Sequence, residues 1–309
     1  MAKTVLVLGA TGGVGGETAR ALLRYGWKVR GLARTLRPGL DPEVEWIEGD
    51  AMDAEAVSRA ARGVAAIVHA VNPPGYRDWE RLVPAMLANS IAAARAEDAR
   101  LVLPGTIYNY DPAATPVAAP DAPQAPQTRK GRIRVEMERA IEQSGVRALI
   151  LRAGDFYGPQ AGNSWLSQGM LAAGRVRSVT YPGGRGVGHA WAYLPDVGET
   201  FARLLEREAA LPRFARFHFA GLWDEDGTRF TRAIGEALGR RLAVRKMPWW
   251  ALPLAAPFNS TMRELIEMRP YWQHPLRLDN RSLIDFLGEE PHTPPVPSLQ
   301  ASLAAMGIS

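Results

Sequence analysis

The chain has 309 residues, 47% of them hydrophobic and 22% charged, and it contains no cysteine. That composition excludes a disordered or fibrous chain. The missing thiols exclude a disulfide framework, a cysteine-ligated zinc and a thiol nucleophile together. A net charge of +5 raises the question of nucleic acid, but the arginines are scattered among carboxylates, with no Lys/Arg run carrying interleaved aromatics. The expected partner is therefore a small molecule, and neither nucleic acid nor membrane. Lys3 leads straight into a strand, and a cytoplasmic address is the expectation.

In chain order, apolar runs at Thr4–Leu8, Lys28–Ala33, Val44–Ile47, Ala65–Ala70, Arg100–Leu103 and Arg147–Leu151 read as strands. Val, Ile and Leu fill both faces, as in a parallel sheet covered on both sides. Between the first two runs, Val14, Thr18, Ala21, Leu22 and Tyr25 share one helical face, and Gly26 marks the stop. Asp53–Arg62 reads as a helix closed by Gly63. This order predicts an α/β fold, a doubly wound parallel sheet of the Rossmann type.

Five prolines (Pro112, Pro116, Pro120, Pro123 and Pro126) interrupt Asp111–Gln127, which reads as a surface loop over the mouth of the site. Past Leu151 come a Gly-rich turn at Pro182–Gly188, a helix over Asp196–Glu208, a strand at Arg216–Ala220 and a helix over Thr228–Leu238. The apolar stretch Met247–Phe258 is broken by Pro248, Pro253 and Pro257 and is too short to span a bilayer. It reads as a pocket wall, a subunit contact or plain core. The predicted organisation is a nucleotide-binding domain over 1–159, to which 190–220 returns. A smaller C-terminal substrate-binding lobe takes 160–189 and 221–309. A homodimer is an open possibility by analogy with such folds.

Chemistry begins at Val7-Leu8-Gly9-Ala10-Thr11-Gly12-Gly13-Val14-Gly15, which ends a strand and opens a helix. Gly9 permits the tight turn, Gly12 lets backbone approach a pyrophosphate, and Gly15 lets the helix pack close to the sheet. The helix N-terminus and its dipole then meet the phosphates. At the tip of the second strand, where NAD binders place a carboxylate, stands Arg34, 19 residues after Gly15, with Arg37 close behind. A guanidinium suits a 2′-phosphate, so NADP(H) is the expected cofactor.

The Gly-x-x-Gly-x-x-Gly spacing around Ala10-Thr11 resembles the short-chain dehydrogenase/reductase superfamily. Glu48-Gly49-Asp50, Val68-His69-Ala70-Val71, Arg152 through Asp155-Phe156-Tyr157-Gly158-Pro159, and Trp191 through Pro195-Asp196-Val197 are similar to segments of its extended, epimerase/dehydratase-like members. The resemblance spans nearly the whole chain. It implies a cofactor site of Gly9, Thr11, Gly12, Gly13, Val14, Arg34, Arg37, Asp50, Ala51, Ala70, Val71, Lys130, Asp155 and Phe156.

The catalytic pattern departs from that family. Standard members carry Tyr-x-x-x-Lys on the helix after the fifth strand, whereas here Lys130 and Arg134 occupy those positions. Pro104, Gly105 and Thr106 fill the region of the family's Ser or Thr. Lys130-x-x-x-Arg134-x-x-x-Glu138 resembles the isoflavone-reductase-like and NmrA-like groups. The resemblance implies a lysine acid/base at Lys130, four residues from Arg134 on one helical face. Tyr108, Tyr110 and Tyr157 are further candidate proton donors. His69 stands at the fourth-strand end, and His189 in a segment that could reach the substrate. The five histidines show no metal spacing. Trp165, Trp191, Trp249, Trp250, Tyr271 and Trp272 could form an apolar substrate cavity.

These observations lead to an NADP(H)-dependent reductase or dehydrogenase acting on a small apolar or aromatic carbonyl or enone. A non-catalytic NADP(H)-sensing module and a sugar-nucleotide epimerase or dehydratase remain as alternatives.

Overall fold

The structure is a computed structural model that describes residues 2–73, 78–162, 164–171, 176–256 and 260–308. Pro257 and Phe258, which end the apolar stretch read from the sequence, lie outside the described residues. So do Asn163 and residues 172–175 of the expected 160–189 segment.

The first part of the chain alternates as its hydrophobic pattern requires. It runs β1 (Thr4–Leu8), α1 (Gly13–Arg24), β2 (Lys28–Ala33), β3 (Glu45–Glu48), α2 (Ala54–Ala60), β4 (Ala66–His69), α3 (Trp79–Ala96) and β5 (Arg100–Thr106). The short β6 (Val117–Ala118), α4 (Arg129–Ser144), β7 (Ala148–Ala153) and β8 (Asp155–Tyr157) follow. Then come β9 (Ser178–Tyr181), β10 (His189–Tyr193), α5 (Leu194–Glu206), β11 (Phe214–Phe219), β12 (Leu222–Asp224) and α6 (Arg229–Ala237). β13 (Ala243–Lys246), α7 (Leu252–Ala255), α8 (Ser260–Glu267), α9 (Pro270–Gln273), β14 (Arg277–Leu278), α10 (Arg281–Leu287) and α11 (Pro295–Ala305) complete the described elements.

Seven parallel strands form the main sheet in the order β11-β7-β5-β4-β1-β2-β3. Alternate residues of β1 serve opposite layers. Val5 and Val7 pack into the core under α1, α5 and α10, while Leu6 and Leu8 join the core under α2, α3 and α4. The strand order reverses between β1 and β4, and such a switch point opens a crevice at the carboxyl ends of the strands. The phosphate loop and the end of β4 meet there.

A third core, rich in aromatics, fills the smaller lobe. Trp191 stacks on Phe230 with ring centres 3.9 Å apart, and His189 stacks on Trp272 at 3.7 Å. The division of the chain differs in detail from the sequence expectation. β11 pairs with β7 in the main sheet, but β10 joins β8 and β12 in a separate three-stranded sheet. Leu283 and Leu287 of α10 bury against the main sheet.

Two carboxylates tie these parts together. Glu290 accepts from the amides of Ala220 and Gly221, each at 2.8 Å. Asp196, at the start of α5, accepts from both the amide and the hydroxyl of Thr293, each at 2.7 Å.

Candidate functional site

Local backbone geometry makes the phosphate loop. Gly9 follows β1 with φ +89°, and a Cβ there would stand 2.5 Å from the Ala70 carbonyl oxygen at the end of β4. A Cβ on Gly15 would stand 2.3 Å from the Gly9 carbonyl oxygen. Both clashes are with backbone, so neither position admits another residue without moving the loop. The Gly12 amide donates to Gly9 O at 2.9 Å and closes the turn. Its helix, α1, has no side-chain cap and no carboxylate in its first turn, so its positive end is presented to an anion.

The loop opens on one cleft of about 1480 Å³. Gly9, Thr11, Gly12, Gly13 and Val14 line it, as do Arg34 and Arg37 beyond β2, Asp50 and Ala51 beyond β3, and Ala70 and Val71 beyond β4. Tyr108, Lys130, Arg134, Asp155 and Phe156 line the same cleft. Residues from Gly9 to Phe156, far apart in sequence, thus share one surface.

Lys130 Nζ lies 2.8 Å from Glu264 Oε2, with the lysine side chain 5% and the glutamate 15% exposed. The carboxylate comes from α8, which reaches over from the smaller lobe. Glu267 of the same helix accepts from the Lys130 amide at 2.8 Å. Arg134, one turn further along α4, places its guanidinium over the Trp79 ring at 5.1 Å. Its charge, after burial, helps push the His69 imidazole down to about 3. His69 is therefore a neutral ring. His69 Nδ1 shares a hydrogen bond of 2.7 Å with Ser90 Oγ, which also lies 3.2 Å from Met86 O.

Behind the cleft wall runs a second chain of bonds. Tyr108 Oη donates to Asp155 Oδ1 at 2.6 Å, and His189 Nε2 meets Asp155 Oδ2 at 2.8 Å. His189 is buried and does not itself line the cleft. It backs Asp155 rather than reaching substrate.

Several sequence expectations need correction. Tyr157 does not line the cleft. Its ring is buried among Trp191, Tyr193 and Phe230, its hydroxyl bonds Ser298 at 2.8 Å, and burial raises its pKa. It is a core residue. Tyr110 is likewise removed from the cleft, its hydroxyl receiving Arg152 Nη1 at 2.6 Å. The proline-broken segment does not cover the mouth, for none of residues 111–127 lines the cleft. Pro120 O instead receives Arg152 Nη1, and β6 pairs with β14. Of the six aromatic residues proposed for the cavity, Trp165 alone lines it. Trp191, Tyr271 and Trp272 are buried in the aromatic core, and Trp250 is 78% exposed.

Sequence reasoning missed Glu264, Trp79, Leu82, Met86, Leu265 and Met268, all of which line the cleft. Glu264 and Glu267, three apart on a short amphipathic helix, were the available signal. Their pairing with α4 spans more than a hundred residues, and no local pattern announces it. Among the described residues no cluster of three or more His, Asp or Glu could hold a metal ion.

Comparison with known proteins agrees with the glycine cradle. Residues 9–172, just over half of the chain, match the family model described as NAD(P)H-binding. The chain belongs to this NAD(P)H-binding family. It is 33% identical over 177 residues to a 3-diazoavenalumate denitrifying reductase of a Streptomyces species, covering 51% of this chain and 58% of that one. It is 31% identical over 161 residues to a ceramide reductase of Caulobacter vibrioides, covering 50% and 47% respectively. The chain therefore spans about half the length of these curated relatives.

Its fold is shared with solved enzymes named as epimerases and with others solved with NAD+. A Bordetella bronchiseptica enzyme, WbmH, solved with NAD+, superposes with a TM-score of 0.73 at 19% identity, over 99% of each chain. A UDP-glucose 4-epimerase from Bifidobacterium longum gives 0.77 at 14% identity, over 99% of this chain and 98% of that one. These likenesses establish the fold, and the family model establishes a site for a nicotinamide cofactor. Gly9 and Gly15, packed against backbone, and the uncapped end of α1 fit the pyrophosphate of such a cofactor.

Proposed function

We propose that the protein is an NADP(H)-dependent reductase of the atypical short-chain type, acting on a small apolar or aromatic carbonyl or enone. The observation that carries this reading is the buried Lys130–Glu264 pair, set in the same cleft as the phosphate loop. Bound nicotinamide supplies or accepts the hydride. Lys130 Nζ holds the proton to be given to the substrate oxygen, and its charge favours the oxyanion that develops there. Glu264 fixes the direction of the ammonium. Trp79, Leu82, Met86, Leu265 and Met268 supply apolar walls that exclude water and accept an apolar substrate.

Arg34 and Arg37, both exposed on the cleft wall at the tip of β2, support NADP(H) over NAD(H), because a guanidinium pairs a 2′-phosphate and no carboxylate stands at the strand tip. A sugar-nucleotide reaction has the fold similarity in its favour. It lacks the Tyr-x-x-x-Lys pair, and the Asp155 carboxylate on the cleft wall would repel a diphosphate.

The test is Lys130→Met, assayed by NADPH oxidation against a panel of aldehydes, ketones and enones. Turnover should fall roughly 10²-fold or more, with NADPH affinity, read from nicotinamide fluorescence, retained within a few-fold. Wild-type protein that binds NADPH and reduces no member of the panel, or a Lys130→Met enzyme of full activity, would overturn the reading.

A further inference from the structure

A second cleft, of about 1130 Å³, is lined by Arg185, Arg232, Arg240, Arg241, Arg245 and Lys246, against only Asp226 and Glu236. Six cations and two carboxylates leave an excess of four positive charges on its walls. All four residues of β13 are exposed, Val244 at 56%. The chain continues from Lys246, the last residue of β13 and itself part of the cleft lining. The Met247 amide donates to Tyr181 O at 3.0 Å, and Trp249 Nε1 donates to Pro182 O at 2.8 Å. Beyond that anchor Trp250 and Leu254 stand out from the surface, 78% and 71% exposed.

The inner side of the same segment belongs to the nucleotide cleft. Trp249 packs on Trp165 with ring centres 6.3 Å apart, and Trp165 lines that cleft. α7, which carries Leu254, packs on α8, which carries Glu264 and Leu265 of the cleft wall. An apolar outer tip is thus continuous with the covering of the candidate active site.

Trp and Leu side chains left in water beside a concentration of arginine have one fitting occupant. The indole ring is amphipathic and settles at headgroup level, while Lys and Arg heads pair with lipid phosphates above it. Clusters of four to eight basic residues beside apolar anchors recognise anionic lipid. We propose that this face docks on the surface of a bilayer that contains anionic lipid, with Trp250 and Leu254 inserted and the basic cleft over the headgroups. The sequence reading counted no membrane among the partners. Among the described residues no helix is long and apolar enough to cross one, but lying on a bilayer requires no spanning helix. The proposal does not depend on the reductase chemistry.

The experiment is co-sedimentation of the full chain with sucrose-loaded vesicles at low ionic strength. One set is phosphatidylcholine alone, and the other contains phosphatidylglycerol at about one part in three. The chain should pellet with the anionic vesicles, remain in solution with the neutral ones, and be released by salt. Arg245→Gln with Lys246→Gln should weaken partitioning roughly 25-fold, about fivefold for each charge. Trp250→Ser should weaken it by roughly tenfold. These positions are exposed, so NADPH binding and thermal unfolding should stay at wild-type values in each variant. Absence from the anionic pellet, equal binding to both vesicle types, or Trp250→Ser binding like wild type would overturn the proposal. So would a dimer in solution that Trp250→Ser dissociates, because the face would then be covered by a second copy.

Discussion

Replacing Glu138 with alanine should destabilise the protein strongly without touching its cleft. Glu138 is 5% exposed and holds Arg152, which is 0% exposed, through two bonds, Nε to Oε1 at 2.9 Å and Nη2 to Oε2 at 2.5 Å. Asn109 and Gln124 donate to the same carboxylate at 2.8 and 3.1 Å. Removing it leaves a guanidinium with Tyr110, Pro120 O and the neutral His218, none of which carries compensating charge. Breaking a buried pair in this way costs about 3–5 kcal/mol. At about 2–4 °C per kcal/mol for a large domain, the melting temperature should drop by roughly 6–20 °C. Urea unfolding followed by circular dichroism measures the loss, with NADPH titration as the control. A double variant, Glu138→Leu with Arg152→Met, should recover much of the stability, because no buried charge is left alone. A Glu138→Ala loss below about 1 kcal/mol, or a double variant less stable than the single one, would refute the reasoning.

Gly15→Ala should abolish measurable NADPH binding while the chain still folds, since the added methyl meets Gly9 O at 2.3 Å and displaces the loop; isothermal titration checks it. Arg34→Ala should raise the Kd for NADPH by roughly tenfold to a hundredfold, from the loss of a charge-assisted contact of about 1.5–3 kcal/mol, and leave NADH binding little changed. His69 and His218, both pushed down to about 3 chiefly by burial, stay neutral in the folded chain. The unfolded chain protonates them near 6.5, so their contribution is intact above that pH and falls between about 6.5 and 3, by about 1.4 kcal/mol per pH unit for each ring. Buried Asp196 and Glu290, held above the usual carboxylate range, act in the opposite sense at acid pH. The difference between wild type and His69→Asn, measured by urea unfolding across that window, should isolate one proton; parallel curves would count against a neutral His69.

The main sheet was readable because parallel strands buried on both faces announce themselves locally. The six runs predicted between Thr4 and Leu151 all start within one residue of the observed strand, and Lys28–Ala33 and Thr4–Leu8 coincide with it. The cofactor cradle was equally plain, since the glycine spacing between a strand and a helix is itself local, and Gly15 is fixed by the backbone of Gly9. Lys130, Arg134, Tyr108 and Asp155 also fall on one cleft as expected. Glu264 was invisible because its meeting with Lys130 is tertiary and is made by a short helix far along the chain. The aromatic residues misled for a related reason. Composition gives their number, but whether an indole such as Trp191 or Trp165 meets core or cleft is settled by packing between two lobes. Tyr157 shows this too, lying two residues from Asp155 on β8 yet buried in the aromatic core while Asp155 lines the cleft.

The Glu290 and Asp196 ties have a consequence for how the molecule is made. β11 cannot hold its place beside β7 with full support until residues near 290 have arrived, because Glu290 secures the backbone that leaves that strand. Pairing between segments so far apart in sequence makes folding slow, since chain must be closed into long loops before the contacts reward it. During synthesis the first strands would emerge with an unfinished edge at β7. That edge and the adjacent apolar layer are what a chaperone would meet. Refolding from denaturant should accordingly be far more concentration-sensitive than the stability of the finished protein suggests.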